Sequence, residues 1–264
     1  MDDSTFKIII PELPGKLKKL SEEEERIKKN SVMLLKSNAN LDKMLGAYEK
    51  AMDMVFSLVT EYKIANDSEL TIQYIGIRFF NALAVSLRLM LCGYYQISFA
   101  IQRDIIEMYF LLDYFLYCPA KIIEWKDASN GERIKNYSPR IIRDILDKRD
   151  GCVSKRRGEK YKMFCEYAAH VSYSGNKLVA PKGFGMIGPF FDEKYLKNCF
   201  TELSDNGFYA VLLFMDYFEN VGDKNISRIK LEFLKQLADW YRERFKEEPK
   251  IDPSKIDELI TLLL

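Results

Sequence analysis

His170 is the only histidine in this 264-residue chain, and imidazole is the one side chain whose ordinary titration lets it act as both acid and base near neutral pH. It lies in KMFCEYAAHVSYSG, with Glu166 one helical turn before it and Ser174 one turn after it if the helix runs on. In that register Glu166 could orient the ring, and Tyr167, Tyr173 or Ser174 could add a further hydrogen bond, which is the layout of a general base. The bland alternative is a helix-end histidine that is merely hydrogen-bonded. One histidine excludes a histidine-rich metal site within one chain, no Glu-x-x-His pattern supports a carboxylate site, and no metal or other cofactor is expected.

A second cluster stands in GYYQISFAIQRDIIEMYFLLDYFLYCPAKIIEW, between Gly93 and Trp125, where Arg103, Asp104 and Glu107 interrupt an apolar, aromatic-rich run. Ionised groups on a helix so largely covered are costly unless paired or hydrogen-bonded. Arg103 and Glu107 are four apart and share a face, but Arg preceding Glu opposes the helix dipole. The pair therefore reads either as a buried brace to another helix or as a site in which Glu107 orients Arg103 toward an anion.

Lys148, Arg149, Lys155, Arg156, Arg157, Lys160 and Lys162 face only Asp150 and Glu159 within fifteen residues, just upstream of His170. A phosphate backbone gripped by Lys155, Arg156, Arg157 and Lys160 would be presented to the imidazole, which makes these the candidate nucleic-acid-binding residues. The competing reading is a solvated loop, since Tyr161 alone could stack on a base. Gly183, Gly185 and Gly188 spell G-x-G-x-x-G, but no strand precedes them and Pro189 follows, so they read as loop geometry. The aromatic stripe from Tyr94 to Tyr117 reads as core packing.

The elements that must position these residues are helical. With 48% hydrophobic and 30% charged residues the composition is that of a soluble globular protein, and a net charge of +1 supplies no global pull toward nucleic acid or an anionic membrane. Five separated cysteines without a C-x-x-C pair argue against a disulfide framework and fit a reducing cytoplasm. No signal peptide is readable at the N-terminus, and the longest uncharged stretch, Leu89 to Gln102, is too short for a membrane span, so no membrane partner is expected.

Ser21 with Glu24 has the form of a capping box, and Asn40 is placed to cap a helix carrying Leu41, Leu45, Met52, Val55, Phe56 and Val59. Gly93 should divide the long periodic region into helices over Ser68 to Cys92 and Tyr95 to Tyr117, with a short helix after Pro119. Further helices are expected from Pro139 to Leu146, Glu159 to Val171, Tyr195 to Phe218, Arg228 to Phe245 and Ser254 to Leu264. Residues 172–191 carry four glycines and two prolines and read as a loop or a short hairpin pairing Leu178 and Val179 with Met186 and Ile187. The expectation is an all-α fold, a single helical bundle over 67–264 with an N-terminal helical extension over 1–66.

Gly93-Tyr94, Arg103-x-x-x-Glu107, Pro119 followed by Glu124-Trp125, and Tyr167-x-x-His170 before a glycine-containing loop together resemble an uncharacterised family of all-helical prokaryotic proteins, over about Ile75 to Phe218. More distantly the chain resembles the HEPN superfamily, helical bundles that include ribonuclease toxins and phage-defence effectors and often act as dimers. That family's Arg lies four to six residues before its His, whereas the nearest upstream Arg here is Arg157. The HEPN likeness implies an RNA-binding or metal-independent RNA-cleaving effector in defence or stress response. His170 would then be the base toward a ribose 2′-hydroxyl and Arg103 would stabilise the phosphate. The alternative function is a non-catalytic helical interaction or dimerisation module.

Overall fold

In the computed structural model the described residues, 12–152, 156–181, 183–218, 223–249 and 253–263, fold as an all-α bundle with no strand among them. The helices are α1 (Gly15–Ser37), α2 (Ala39–Thr60), α3 (Asp67–Leu91), α4 (Tyr95–Tyr117), α5 (Lys121–Asp127), α6 (Asn130–Tyr137), α7 (Pro139–Arg149), α8 (Arg156–Phe164), α9 (Glu193–Met215), α10 (Lys224–Phe245) and α11 (Pro253–Leu263). Their starts follow from side-chain caps. Asn66 Oδ1 accepts from Glu69 N at 2.9 Å, Asp192 Oδ1 from Tyr195 N at 3.0 Å, and Ser129 and Glu132 close a reciprocal capping box.

The core is laid down where α4 and α9 pack together with α3 and α2, and α10 covers the far side of α2. Tyr48, Phe79, Phe110, Phe115, Phe200, Phe214 and Phe233 are fully buried there, and each such side chain contributes about 1.5–3 kcal/mol by leaving water. Close approach has its own residue requirement. A Cβ on Gly76 of α3 would stand 2.7 Å from Phe214 Cε2 of α9, so glycine is what allows these helices to meet.

Gly93 turns α3 into α4, as its spacing predicts. Its φ of +88° lies in the left-handed region, and a Cβ there would come within 2.8 Å of Phe190 N. By length and composition alone α3 could cross a membrane, yet here it packs between α2, α4 and α9 with Ile72, Phe79, Leu83 and Met90 fully buried.

Several expectations are corrected. α1 begins at Gly15 after Pro14, so Ser21 lies inside the helix instead of capping it, and Asn38 caps α2, not Asn40. Within the expected extension over 1–66, the described α2 carries Tyr48, Met54, Val55 and Leu58 into the core it shares with α3 and α9. Residues 172–191, expected as a loop or a short hairpin, are a loop, with no strand among those described. Tyr173–Leu178 is a 3₁₀ turn, and one bond from Met186 N to Val179 O at 2.8 Å replaces the expected ladder. The helix expected over Glu159 to Val171 stops being α-helical at Phe164 and continues as a π-helical turn, Cys165–Ala169, closed by His170 N donating to Cys165 O at 3.0 Å.

Candidate functional site

Two side-chain pairs of the same spacing face one another where α4 meets α8. Arg103 and Glu107 lie on α4, while Tyr161 on α8 and Cys165 on the π turn lie opposite. Arg103 Nη2 donates to Glu107 Oε1 at 2.5 Å and to the Tyr161 hydroxyl at 2.7 Å, Nε donates to Cys165 Sγ at 3.2 Å, and the Tyr161 hydroxyl itself donates to Glu107 Oε1. The guanidinium carbon also stands 5.3 Å from the Tyr161 ring centre. Arg103 and Glu107 are 29% and 26% exposed, so the cluster is recessed but reached by solvent.

Burial works against the Arg103 charge, but the Tyr161 hydroxyl, Glu107 and Cys165 outweigh it and hold the guanidinium above its ordinary pKa. Burial, with the Glu107 carboxylate beside it, pushes the Tyr161 hydroxyl up, which favours its neutral, donating form. Arg143 of α7 completes the surroundings. Its guanidinium carbon lies 4.4 Å from the Tyr161 ring centre and 5.9 Å from that of Phe110, and its buried Nη1 has no hydrogen-bond partner among the described residues.

His170 follows the π turn with an exposed side chain that makes no hydrogen bond or ion pair among the described residues. Glu166, expected to orient it, instead accepts from Ser174 Oγ at 2.9 Å, while Ser172 Oγ donates to the Glu166 carbonyl. Helix does not continue past Ala169, so the register that would bring Ser174 under the imidazole is lost. Arg103 and His170 are joined through Cys165, whose thiol meets the guanidinium and whose carbonyl accepts the His170 amide, but no direct contact links their side chains. Gln96 of α4 pins the same segment by donating to Tyr167 O at 3.4 Å and Gly175 O at 3.3 Å.

The basic stretch is largely neutralised from within. Arg157 pairs with Asp147 at 2.8 Å and Asp150 at 2.5 Å, Arg149 pairs with Asp150 at 2.6 Å and with the buried Asp113 of α4 at 2.7 Å, and Lys160 meets Glu202 of α9 at 3.1 Å. The Arg149 hydrogen bond holds Asp150 down at about 2, with Arg157 adding to it. Lys155 and the side chain of Arg156 lie outside the described residues. Asp113, Asp147 and Glu202 escaped sequence reasoning because two stand on other helices and the third falls one residue before the basic window. Tyr161 and Cys165 left one readable trace, their four-residue spacing opposite that of Arg103 and Glu107.

The G-x-G-x-x-G glycines lie in the exposed loop, with Gly183 and Gly188 at φ +82° and +81° and no helix until Glu193. Among the described residues no three His, Cys, Asp or Glu side chains gather as a metal site requires. The chain matches no family model, no curated protein and no solved structure.

Proposed function

We propose that this chain acts as a non-catalytic helical interaction module that pairs with a second copy of itself through the loop that follows His170. The observation that carries the reading is the exposure of Val171 at 110%, Tyr173 at 92%, Phe184 at 81% and Ile187 at 102%, four large uncharged side chains in one loop. The loop is anchored while these side chains face outward. Gln96 holds the Tyr167 and Gly175 carbonyls, Tyr195 donates to Lys177 O at 2.5 Å, and Phe190 packs edge-on against Tyr95 at 5.3 Å.

Gly188 sits against Leu20 of α1, where Leu17 and Leu13 are also exposed, so the apolar surface draws on two regions distant in sequence. Apolar side chains can pack on their own kind across a two-fold axis, and homodimer interfaces are the more apolar class. The polar cluster at Arg103 then serves to brace α8 and its π turn against α4. The test is light scattering of the purified full chain beside a Val171→Lys, Ile187→Lys double variant. A dimeric parent and a folded, monomeric variant are expected; a parent that stays monomeric at every concentration, or a variant that stays dimeric, overturns the reading.

A metal-independent RNA-cleaving or RNA-binding activity is the second reading, favoured by the unpartnered, exposed His170 imidazole beside a turn that Arg103 braces through Cys165. In it His170 takes the 2′-hydroxyl proton, and Arg103 Nη1, which carries no hydrogen bond among the described residues, meets the phosphate. Incubation with single-stranded RNA in EDTA should then show cleavage by the parent and none by His170→Ala; equal cleavage by both removes His170 from the chemistry, and neither cleavage nor binding by either protein ends this reading.

A further inference from the structure

A cleft of about 310 Å³ opens between the middle of α9 and the C-terminal end of α10, away from the Arg103 cluster. Its lining includes the buried Phe208, Leu237 and Trp240, and Tyr209 and Phe245 stand in it 41% and 44% exposed. Lys246 adopts the left-handed conformation at φ 57°, ending α10, and Pro249 just beyond joins the lining. Asp205 is the one charged residue in that lining, and the Arg244 guanidinium lies over the rings of Trp240 and Phe245 beside it.

Asp205 is already neutralised. Arg244 donates to both of its oxygens, at 2.6 and 3.2 Å, while stacking over Trp240 at 5.2 Å and Phe245 at 4.9 Å. A carboxylate has about four acceptor positions, and a bidentate arginine takes two, so lone pairs remain for a neutral N–H donor. A cationic ligand would gain less, because the Arg244 charge stands at the same carboxylate. The half-exposed Tyr209 and Phe245 give the cleft aromatic walls beside the Arg244 guanidinium, which suit a flat partner. The volume, at the lower end of the roughly 300–1,000 Å³ typical of ligand sites, fits one ring system and little more.

We propose that this cleft binds a neutral, planar nitrogen heteroaromatic ring carrying an amino donor, the chemistry of an adenine-type nucleobase, stacked beside Phe245 with its amino group on Asp205. The site is independent of the pairing proposed above, since none of its residues belongs to the His170 loop.

The test is calorimetric titration of the full chain with adenosine, with purine riboside, which lacks the amino group, with the cation benzamidinium, and with a short oligo(A) strand. Adenosine should bind and quench tryptophan fluorescence through Trp240, and purine riboside should bind about tenfold more weakly because it leaves the Asp205 lone pairs unmet. Phe245→Ala, which removes a half-exposed wall and leaves the core intact, should weaken adenosine by about tenfold while the circular dichroism stays that of the parent. Oligo(A) binding with the same Phe245 dependence identifies a strand as the source of the base, and adenosine binding alone identifies the free nucleoside. The proposal is overturned if adenosine does not bind up to its solubility limit, if benzamidinium binds more tightly than adenosine, or if Phe245→Ala binds as the parent does.

Discussion

The Tyr161 hydroxyl donates to Glu107 Oε1 while accepting from Arg103 at 2.7 Å, so one oxygen on α8 closes a ring of hydrogen bonds with an acid and a base that neighbour each other on α4. Arg103 and Glu107 are in the less favourable order for a local helix pair, and it is this third member that makes their placement stabilising.

Removing parts of that ring should therefore have graded effects. Tyr161→Phe deletes one hydroxyl but leaves Arg103 with Glu107 and Cys165, and is expected to cost about 1 kcal/mol. Glu107→Ala leaves a recessed guanidinium without its carboxylate and should cost about 2 kcal/mol. Denaturant titration of both variants checks the order; a Tyr161→Phe loss equal to or above that of Glu107→Ala would mean that the hydroxyl, and not the ion pair, holds α8 in place.

A second electrostatic dependence lies six residues beyond Glu107 on α4. Asp113 is 8% exposed and takes both a bidentate contact from Arg149 and a longer one, 3.8 Å, from Arg157. Asp113→Ala removes the buried carboxylate that Arg149 and Arg157 share, leaving Arg149 with Asp150 and Arg157 with Asp147 and Asp150, and should lower stability by about 2 kcal/mol. Asp147→Ala leaves Arg157 its Asp150 partner and should cost clearly less. Equal losses in thermal melts of the two variants would show that the three acids share the load evenly.

A backbone prediction concerns Gly93. Alanine there must hold φ at +88° and place its Cβ against the Phe190 backbone, which cannot yield as a side-chain tip could. Gly93→Ala should lower stability by about 2 kcal/mol or more. The damage should also loosen residues 190–192, read as faster amide exchange at Phe190, which bonds to Gly93 O. A melting temperature equal to the parent's would remove the steric argument.

What was legible in the sequence follows the same division between local and tertiary causes. α4 runs from Tyr95 to Tyr117 as its apolar spacing and the Gly93 break predict, because both signals are local. The π turn after Phe164 was not legible: Cys165 and Tyr167 are held by Arg103 and Gln96, more than sixty residues away. Likewise the run from Lys148 to Lys162 looked like an uncompensated basic patch only while Asp113 and Glu202 were absent from view. The lone imidazole of His170 is plain in the sequence, but its surroundings are not, since a helix that unwinds at Ala169 sends Glu166 to Ser174.

Acid should act on this protein partly through Asp150. Its folded pKa, held at about 2 by Arg149 and Arg157, lies below the 3.8 ordinary for aspartate. A depressed acid releases its proton more readily when folded, so its contribution is fully present above about pH 4, shrinks as the pH falls, and is gone once the pH has passed below about 2. Asp150→Asn removes this dependence, while Asp113 and Asp147 keep their guanidinium partners on the same face. The variant should be less stable than the parent at neutral pH, and the gap should close on acidification between about pH 4 and 2. Denaturation midpoints of the two proteins measured across that window decide it; a gap that stays constant with pH would show that Asp150 stabilises the α7 C-terminus through hydrogen-bond geometry common to asparagine and aspartate, and not through its charge.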